Sequence, residues 1–335
     1  MNLVQYKKTM FGIVILLILV IASLTYSLWA PADYGKDYFH YDQNGDIDKS
    51  APFSPSWKHP FGTDISGNDL FLQMVNGAKY TILGAIFVSF FRVLLGAFFG
   101  VLLSLWLPKI IPVLKDFFLP FQYIPTLFIT FALMVPVAPF TGLPVMKVVI
   151  YQFLVMIFVA FPTMLFYTTD LIDEWKQSTF VQSSYLMGAS HFHVLRKHYV
   201  PYLISYGILM VVQQFFQTLV LMMHLGIFTF FIGGQSQSGL ISGDPMTYLP
   251  SSLSNEWAGL IGQNFMQFMR APWIVLSSIF GFFLLLAIAN MMKKEIEESL
   301  SQSIFFHKKK KIVKNGSDKK MVIEADSFTI IEKES

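Results

Sequence analysis

The chain has 335 residues, of which 54% are hydrophobic, 16% aromatic and only 13% charged, with a formal net charge of +3. A soluble domain carries about 25% charge, so the composition excludes a disordered tail protein and argues against an ordinary soluble enzyme, and the small net charge offers no footing for nucleic acid. There is no cysteine, which excludes disulfides, thiolate metal sites, cysteine nucleophiles and thioether lipid attachment.

A helix that crosses a bilayer needs about 20 mostly apolar residues. Six stretches qualify, predicting an all-α polytopic membrane protein with six transmembrane helices. The first is residues 10–29, which carry no charge. Lys7 and Lys8 before it and Ala30-Pro31-Ala32 after it imitate a signal peptide. The apolar run exceeds the usual length of about 7–15 residues, so an uncleaved first span is expected.

Residues 31–76 form a loop of mixed polarity. Asp42-x-Asn44-Gly45-Asp46-x-Asp48 resembles the start of a calcium loop, but Ile47 stands at its sixth position and Phe53 at its twelfth, where the motif requires Gly and Glu. Next come His59-Pro60-x-Gly62-Thr63-Asp64-x-x-Gly67-x-Asp69 and Asn76-Gly77-Ala78-Lys79. The second span, residues 81–107, contains Arg92 as its one deep ionisable group. Intramembrane charges are expensive and by default functional: either Arg92 lines a solute path and meets a carboxylate, or it pairs with a backbone carbonyl or a neighbouring subunit. Gly96 and Gly100 make a G-x-x-x-G pattern, expected for close helix packing. The third span, residues 117–138, contains Pro120, Pro125 and Pro136, tolerable where neighbours re-satisfy the freed backbone groups. The fourth is residues 148–168.

Residues 170–200 carry the most information. Residues 175–187 suit a short helix, Gly188 a left-handed helix end, and Ser190 the cap of a second helix ending near Pro201. This predicts a helix-turn-helix just below the membrane, with Leu186 and Met187 on its elbow. It serves either as a docking element for a groove in another protein or as a plain connector. The spacing of His191, His193 and His198 is poor for a metal, and solvated histidines are expected. The fifth span runs from Tyr202 to about Ile232. Its Gln213, Gln217 and His224 follow i, i+4, i+11 spacing, near one face, with Gln214 adjacent. The stripe either borders a pore or makes hydrogen bonds between helices. Residues 233–270 form a second loop, and residues 273–292 the sixth span. A tail, residues 293–335, includes four consecutive lysines at 308–311, which suit anionic lipid headgroups or a simple positive anchor. No internal repeat is present.

Orientation follows Lys and Arg. Lys7, Lys8, Lys109, Lys115, Lys176, Arg196, Lys197 and the tail fall on one side. Lys36, Lys49 and Lys58 fall on the other, with Lys79, Lys147 and Arg270 at membrane edges. Both termini are therefore expected in the cytoplasm of a cell whose plasma membrane the chain crosses repeatedly.

Five segments carry a family resemblance. Gln182-Ser183-Ser184-x-x-x-Gly188-Ala189-Ser190, followed by Arg196-Lys197-His198-x-x-Pro201, resembles the "EAA" loop of ABC importer permeases, with the same thirteen-residue step from Gly to Pro. The segment from His59 to Asp69 resembles the "HPxGTDxxGRD" segment that precedes the second span in C-type subunits of oligopeptide/dipeptide permeases. Asn76-Gly77-Ala78-Lys79 is similar to the "YGAR" that follows. Glu256-Trp257-Ala258 and Ala271-Pro272-Trp273 resemble that family's last outside loop and last span. The resemblance extends over about residues 10–300.

It implies a type I (MetI-like) ABC permease fold and a subunit importing peptides with a homologous second permease, two ABC ATPases and an extracytoplasmic peptide-binding protein. The division it implies is an N-terminus and first helix at 1–30, an outside loop at 31–78, a permease core at 79–292 and a basic tail at 293–335. Within the core lie a coupling loop at 170–200 and an outside loop at 233–270. Coupling to the ATPase falls to Gln182, Ser183, Ser184, Leu186, Met187, Gly188, Ala189 and Pro201. The translocation path falls to Arg92, Gln213, Gln217 and His224. His59, Pro60, Gly62, Thr63, Asp64, Gly67 and Asp69 form the motif before the second span.

Departures are Gln182 for Glu, Ser183 and Ser184 for Ala, Asn68 for Arg, and an insertion around residues 235–252. No G-x-x-x-x-G-K-[ST] phosphate loop exists, and Ile232-Gly233-Gly234-Gln235 only superficially imitates an ATPase signature. No enzyme activity, cofactor or metal of its own is expected, ATP being bound by the partners. An ion-coupled secondary transporter would need an internal repeat and buried midplane carboxylates, neither evident here. A non-transporting receptor or assembly factor derived from a permease is the third reading.

Overall fold

In lipid every backbone N–H and C=O must be satisfied within the chain, and helices do this segment by segment. The computed structural model describes residues 6–30, 34–41, 46–137, 144–239 and 248–316. It is 76% helical. The helices are α1 (Lys7–Trp29), α2 (Leu70–Trp106), α3 (Ile110–Tyr123), α4 (Thr126–Met134), α5 (Val145–Lys176), α6 (Thr179–Leu186), α7 (His191–Val194), α8 (Val200–Ile227), α9 (Trp257–Asn264) and α10 (Pro272–Gly316). Two antiparallel ribbons interrupt the helical pattern: β1 (Phe39–Tyr41) with β2 (Ile47–Ser50), and β3 (Gln235–Gly239) with β4 (Tyr248–Ser252).

Among the described residues, five helical segments are long and apolar enough to cross a membrane: α1, α2, α5, His191–Ile227 and Pro272–Ser301. The third expected span is broken. α3 and α4 meet at an angle of 83°, where Ile124 is extended (ψ 123°) ahead of Pro125 (ψ 130°), as the residue before a proline favours. The pair must nevertheless cross. α2 and α5 run parallel, with Arg92 beside Met156, Gly96 beside Met164 and Gly100 beside Thr168. A chain leaving the end of α2 can begin a parallel α5 only after returning to the other side. The chain therefore forms a six-pass bundle with both described chain ends, at α1 and α10, on one side. We call this the near end and the opposite side the far end.

Other boundaries also move. The second span starts at Leu70 rather than near Thr81, and the fourth continues to Lys176. α8 follows α7 through a π-helical turn, Leu195–Tyr199, so Pro201 lies inside a continuous helix instead of ending it. The wider turn lets Val200 N–H donate to Leu195 O, absorbing the donor that proline lacks.

The α2–α5 contact depends on small residues. A Cβ at Gly96 would run into Met164, and one at Gly100 would stand 2.7 Å from Thr168 Cβ and 2.9 Å from Leu165 O. The backbones therefore approach as the G-x-x-x-G pattern predicts.

α1 has no cap of its own. Glu295 of α10 supplies one: its carboxylate accepts Lys8 N–H at 2.9 Å and Thr9 N–H at 2.6 Å. These are donors that a helix start leaves open. At the far end, Ser23 Oγ donates to Asn76 O (2.8 Å) and accepts Lys79 N–H (3.2 Å).

The expected second outside loop is not all exposed. Its α9 lies in the bundle, with Trp257, Ala258, Leu260 and Ile261 in the main core. Trp257 donates through its indole to Met74 O (2.8 Å) and through its backbone to Thr81 Oγ1 (3.0 Å). Glu256, fully buried, caps α9 by accepting Ala258 N–H (2.8 Å) and also accepts Ile232 N–H (3.3 Å). Burial pushes its carboxyl up to about 7, against the lowering effect of those backbone donors. The folded state therefore holds this proton more tightly than the unfolded chain. Stability from this group is complete below the ordinary carboxyl range and falls as pH rises towards about 7, by on the order of 3 kcal/mol. Thermal unfolding in detergent between pH 5 and 8 should show this loss, and Glu256→Gln should flatten it; identical slopes for the two proteins would refute the assignment.

Candidate functional site

Between α2, α4, α5 and α8 lies a cavity of about 370 Å³. Arg92, Gln214, Gln217 and His224 supply its polar wall, with Thr126 at the start of α4 and Thr163 on α5. Arg92 is 2% exposed. Its Nε and Nη2 donate to Met156 O (2.9 and 2.7 Å), and its Nη1 to Thr218 Oγ1 (2.9 Å) and Gln214 Oε1 (3.3 Å). The guanidinium thus pins α2, α5 and α8 at one level and borders the cavity as well. Of the two readings open in the sequence, pairing with a backbone carbonyl is seen at Met156 O, and the same side chain borders a cavity.

Gln217 and His224 line the cavity, but Gln213 does not. Gln213 Nε2 donates to Glu297 Oε1 (3.2 Å) on α10. The cavity face of α8 is 214, 217, 221 and 224, spaced by i+3 and i+4 steps, and Gln213 sits about 100° round the helix from Gln214. Sequence reasoning notes Gln214 without assigning it and misses Thr126 and Thr218. Only the break at Pro125 hints that a helix start lies at this depth.

The near-end elbow is built as a rigid hook. α5 stops at Lys176, whose Nζ donates to Ser104 O at 2.7 Å. Val181 of α6, Val194 of α7, Tyr199 and Ile172 close a small core beneath. Gly188 has φ +85°, and a Cβ added there would meet nothing within 4 Å, so the left-handed backbone, and not space, demands glycine. Ser190 Oγ accepts His193 N–H (3.3 Å) as the expected cap. The histidines are not merely solvated. His198 Nε2 is 3.0 Å from Ser184 Oγ, and His191 Nδ1 is 3.1 Å from Tyr185 OH, which ties α7 and the turn after it to α6.

Leu186 (89% exposed), Met187 (81%) and Phe192 (66%) form an apolar tip. Phe192 belongs to none of the sequence motifs. Gln182 and Ser183 are exposed beside it, Ser184 is buried, Ala189 is partly buried, and Pro201 is exposed on the helix above.

At the far end the segment around His59 to Asp69 forms a knot that starts α2. Asp69 caps the helix, its Oδ1 accepting Leu72 N–H (3.0 Å). His59, buried, faces Asp69 Oδ2 through Nδ1 (2.7 Å) and Asp37 Oδ2 through Nε2 (2.9 Å). Lys58 pairs with Asp37, and this contact, with help from His59, holds the Asp37 carboxyl below its usual range. Thr63 exchanges two hydrogen bonds with Phe53. Gly67, at φ +72°, admits the Asp37 backbone where a Cβ would collide, and a Cβ at Gly62 would press on the Trp273 indole.

Pro60 precedes this turn. Asp64 Oδ1 accepts Ser66 and Asn68 N–H (2.8 and 2.9 Å), and its Oδ2 accepts Asn68 Nδ2 (2.8 Å) and Gln73 Nε2 (2.7 Å). The motif is structural, and Asn68 retains a contact at the position of the motif Arg.

Asp42, Asn44, Gly45, Pro31 and Ala32 lie outside the described residues. Asp48 sits on strand β2, so the calcium-like segment leads into a hairpin strand. Among the described residues no three His, Asp or Glu side chains are grouped to hold a metal ion. Of the inserted loop, residues 240–247 lie outside the described residues. The lysines at 308–311 fall on the backbone of α10.

Asp64→Ala removes four acceptor contacts from a buried carboxylate and is expected to destabilise the protein by about 3 kcal/mol or more, with Asp64→Asn milder. Unchanged thermal unfolding of Asp64→Ala in detergent would show that the knot does not hold α2.

Sequence comparison finds the chain similar to proteins named as permeases. No family model matches it. It is 29% identical over 201 residues to proteins of Brucella abortus and Brucella suis whose names are those of peptide permeases, a match covering 59% of this chain. The chain spans about 60% of the length of those relatives. It is 24% identical to the glutathione transport system permease protein GsiD of Shigella dysenteriae, across 90% of this chain and 88% of that one. The chain is a helical, multi-pass membrane protein related in sequence to peptide and glutathione permeases.

Proposed function

We propose that the chain is a permease subunit of an ATP-driven ABC importer for peptides, of the oligopeptide/dipeptide class and the type I (MetI-like) fold. The observation that carries this reading is the near-end elbow. An apolar tip of Leu186, Met187 and Phe192 stands outside the spans on a hook that α5, α6 and α8 hold rigid. An exposed apolar projection of this kind suits the groove of another protein. The near end also carries most of the Lys and Arg, which supports a cytoplasmic location for both termini in the plasma membrane.

In this reading the complex holds two ABC ATPases, and one of them grips this elbow through Gln182, Ser183, Leu186, Met187 and Gly188. A homologous permease completes the path, and a peptide-binding protein docks at the far end. ATP is bound and hydrolysed by the partners. The elbow continues directly into α8, and α8 itself carries Gln217 and His224 on the cavity wall. A displacement at residue 190 therefore reaches the cavity along one helix, over roughly 35–50 Å at 1.5 Å per residue. Arg92, which joins α8 to α2 and α5, is the fulcrum. Coupling requires nucleotide and peptide to favour different arrangements of this bundle.

The backbone demand at Gly188 gives a sharp test. Gly188→Val should lower ATP-driven peptide uptake by proteoliposomes of the full complex at least about tenfold, since a β-branched residue strains a left-handed position. Gly188→Asn should retain most uptake, and both should insert normally. Normal uptake by the Val variant removes the coupling role of the elbow. Uptake without ATP would favour an ion-coupled carrier.

A further inference from the structure

We propose that the cavity at Arg92 is an oxyanion subsite that takes the carboxylate of the transported solute. The inference rests on the permease reading and deepens it by naming the solute's charge. It stands on three independent features of the same wall. First, Arg92 is 2% exposed, and its hydrogen-bond acceptors, Met156 O, Gln214 Oε1 and Thr218 Oγ1, are all neutral. Among the described residues no acidic side chain lines the cavity. A buried positive charge held only by neutral acceptors keeps its need for a counter-charge.

Second, Gln214 is 7% exposed, and its amide is oriented by that arginine. With Oε1 committed to Arg92, Nε2 is the other end. The side chain lines the cavity. An amide oriented in this way offers N–H donors to what enters it. Third, α4 begins at the cavity wall: Thr126 and Leu127 both line it. Its N-cap is Pro125, and no side chain caps it. The start of an interrupted membrane helix offers unpaired N–H groups and the positive end of a dipole.

The guanidinium, with its charge and the one N–H not bonded within the bundle, the amide N–H and the helix start all present donors, and nothing acidic among the described residues opposes them. A carboxylate accepts from all three. An ammonium or a neutral amide in its place leaves the donors unmatched and, for the ammonium, adds repulsion from Arg92. His224, further along the same face, extends the polar wall towards the far end for the rest of the solute.

The test is equilibrium binding of labelled trialanine and of trialanine amide to the assembled membrane complex in detergent, without the soluble binding protein. Any discrimination then comes from the membrane subunits. The free acid should bind at least about tenfold tighter than the amide, the scale of one charged hydrogen bond. Arg92→Gln should bring the two within about twofold, and Arg92→Lys should keep a preference for the acid. Equal binding of acid and amide by the unaltered complex overturns the inference, as does full discrimination in Arg92→Gln. Should Arg92→Gln fail to assemble, competition by propionate against propylammonium on the unaltered complex decides, with displacement by propionate alone expected.

ATP-driven uptake of the two peptides separates the levels of failure. Equal uptake of acid and amide leaves the permease reading standing and removes the subsite. Uptake of neither removes the permease reading and the subsite with it.

Discussion

A single guanidinium organises the middle of this bundle. Arg92 lies where lipid-facing helices meet, and a charge there is costly unless polar groups surround it. The acceptors come from two other helices: a carbonyl that α5 leaves accessible at Met156, and the Gln214 and Thr218 side chains of α8. Since α2, α5 and α8 must each present a group at the same depth, their relative sliding is fixed by this one residue. The small residues of α2 then let α5 approach closely enough for Met156 O to be reached. The cavity exists because the third span breaks at Pro125 and does not fill the space beside these three helices.

The two ends of the bundle are built differently. The far end is dense with satisfied polar groups. Asp69, Asp64, His59 and Asp37 start α2, while Trp257 ties α9 to α2 and Glu256 ties it to the turn that follows α8. The near end exposes apolar side chains on a short hook whose own core is small. A far end that resists rearrangement and a near end that projects a handle suit a machine driven from one side.

Much of this is legible in the sequence. Composition and apolar run length give the helical, multi-pass character, the placement of most spans and the close packing at Gly96 and Gly100. Glycine and capping chemistry give the elbow, since Gly188 and Ser190 act through local backbone rules that need no tertiary knowledge. Boundaries are less legible. Leu70 to Tyr80 reads as loop because Gln73, Asn76 and Lys79 are polar, yet each finds a partner in the folded chain or sits at a helix start. The proline at 201 reads as a stop because the π turn that absorbs it has no sequence signature. Gln213 and Gln214 are adjacent, and no periodicity decides which faces a cavity when both faces of a helix pack against others. Burial of α9 is illegible for a related reason: short polar-flanked segments read as loops until their neighbours are in place.

The cap on α1 has a consequence for biogenesis. The backbone donors at the start of the first helix are answered by a carboxylate 286 and 287 residues further along the chain. During synthesis, therefore, the first helix enters the bilayer long before the group that completes it has left the ribosome. Until then its opening turn has only water and headgroups for company, and few of its side chains are buried. The order of manufacture thus runs opposite to the order of completion: a helix made well before Glu295 is locked only once Glu295 is in place, and a chain truncated before Glu295 is denied its closing latch.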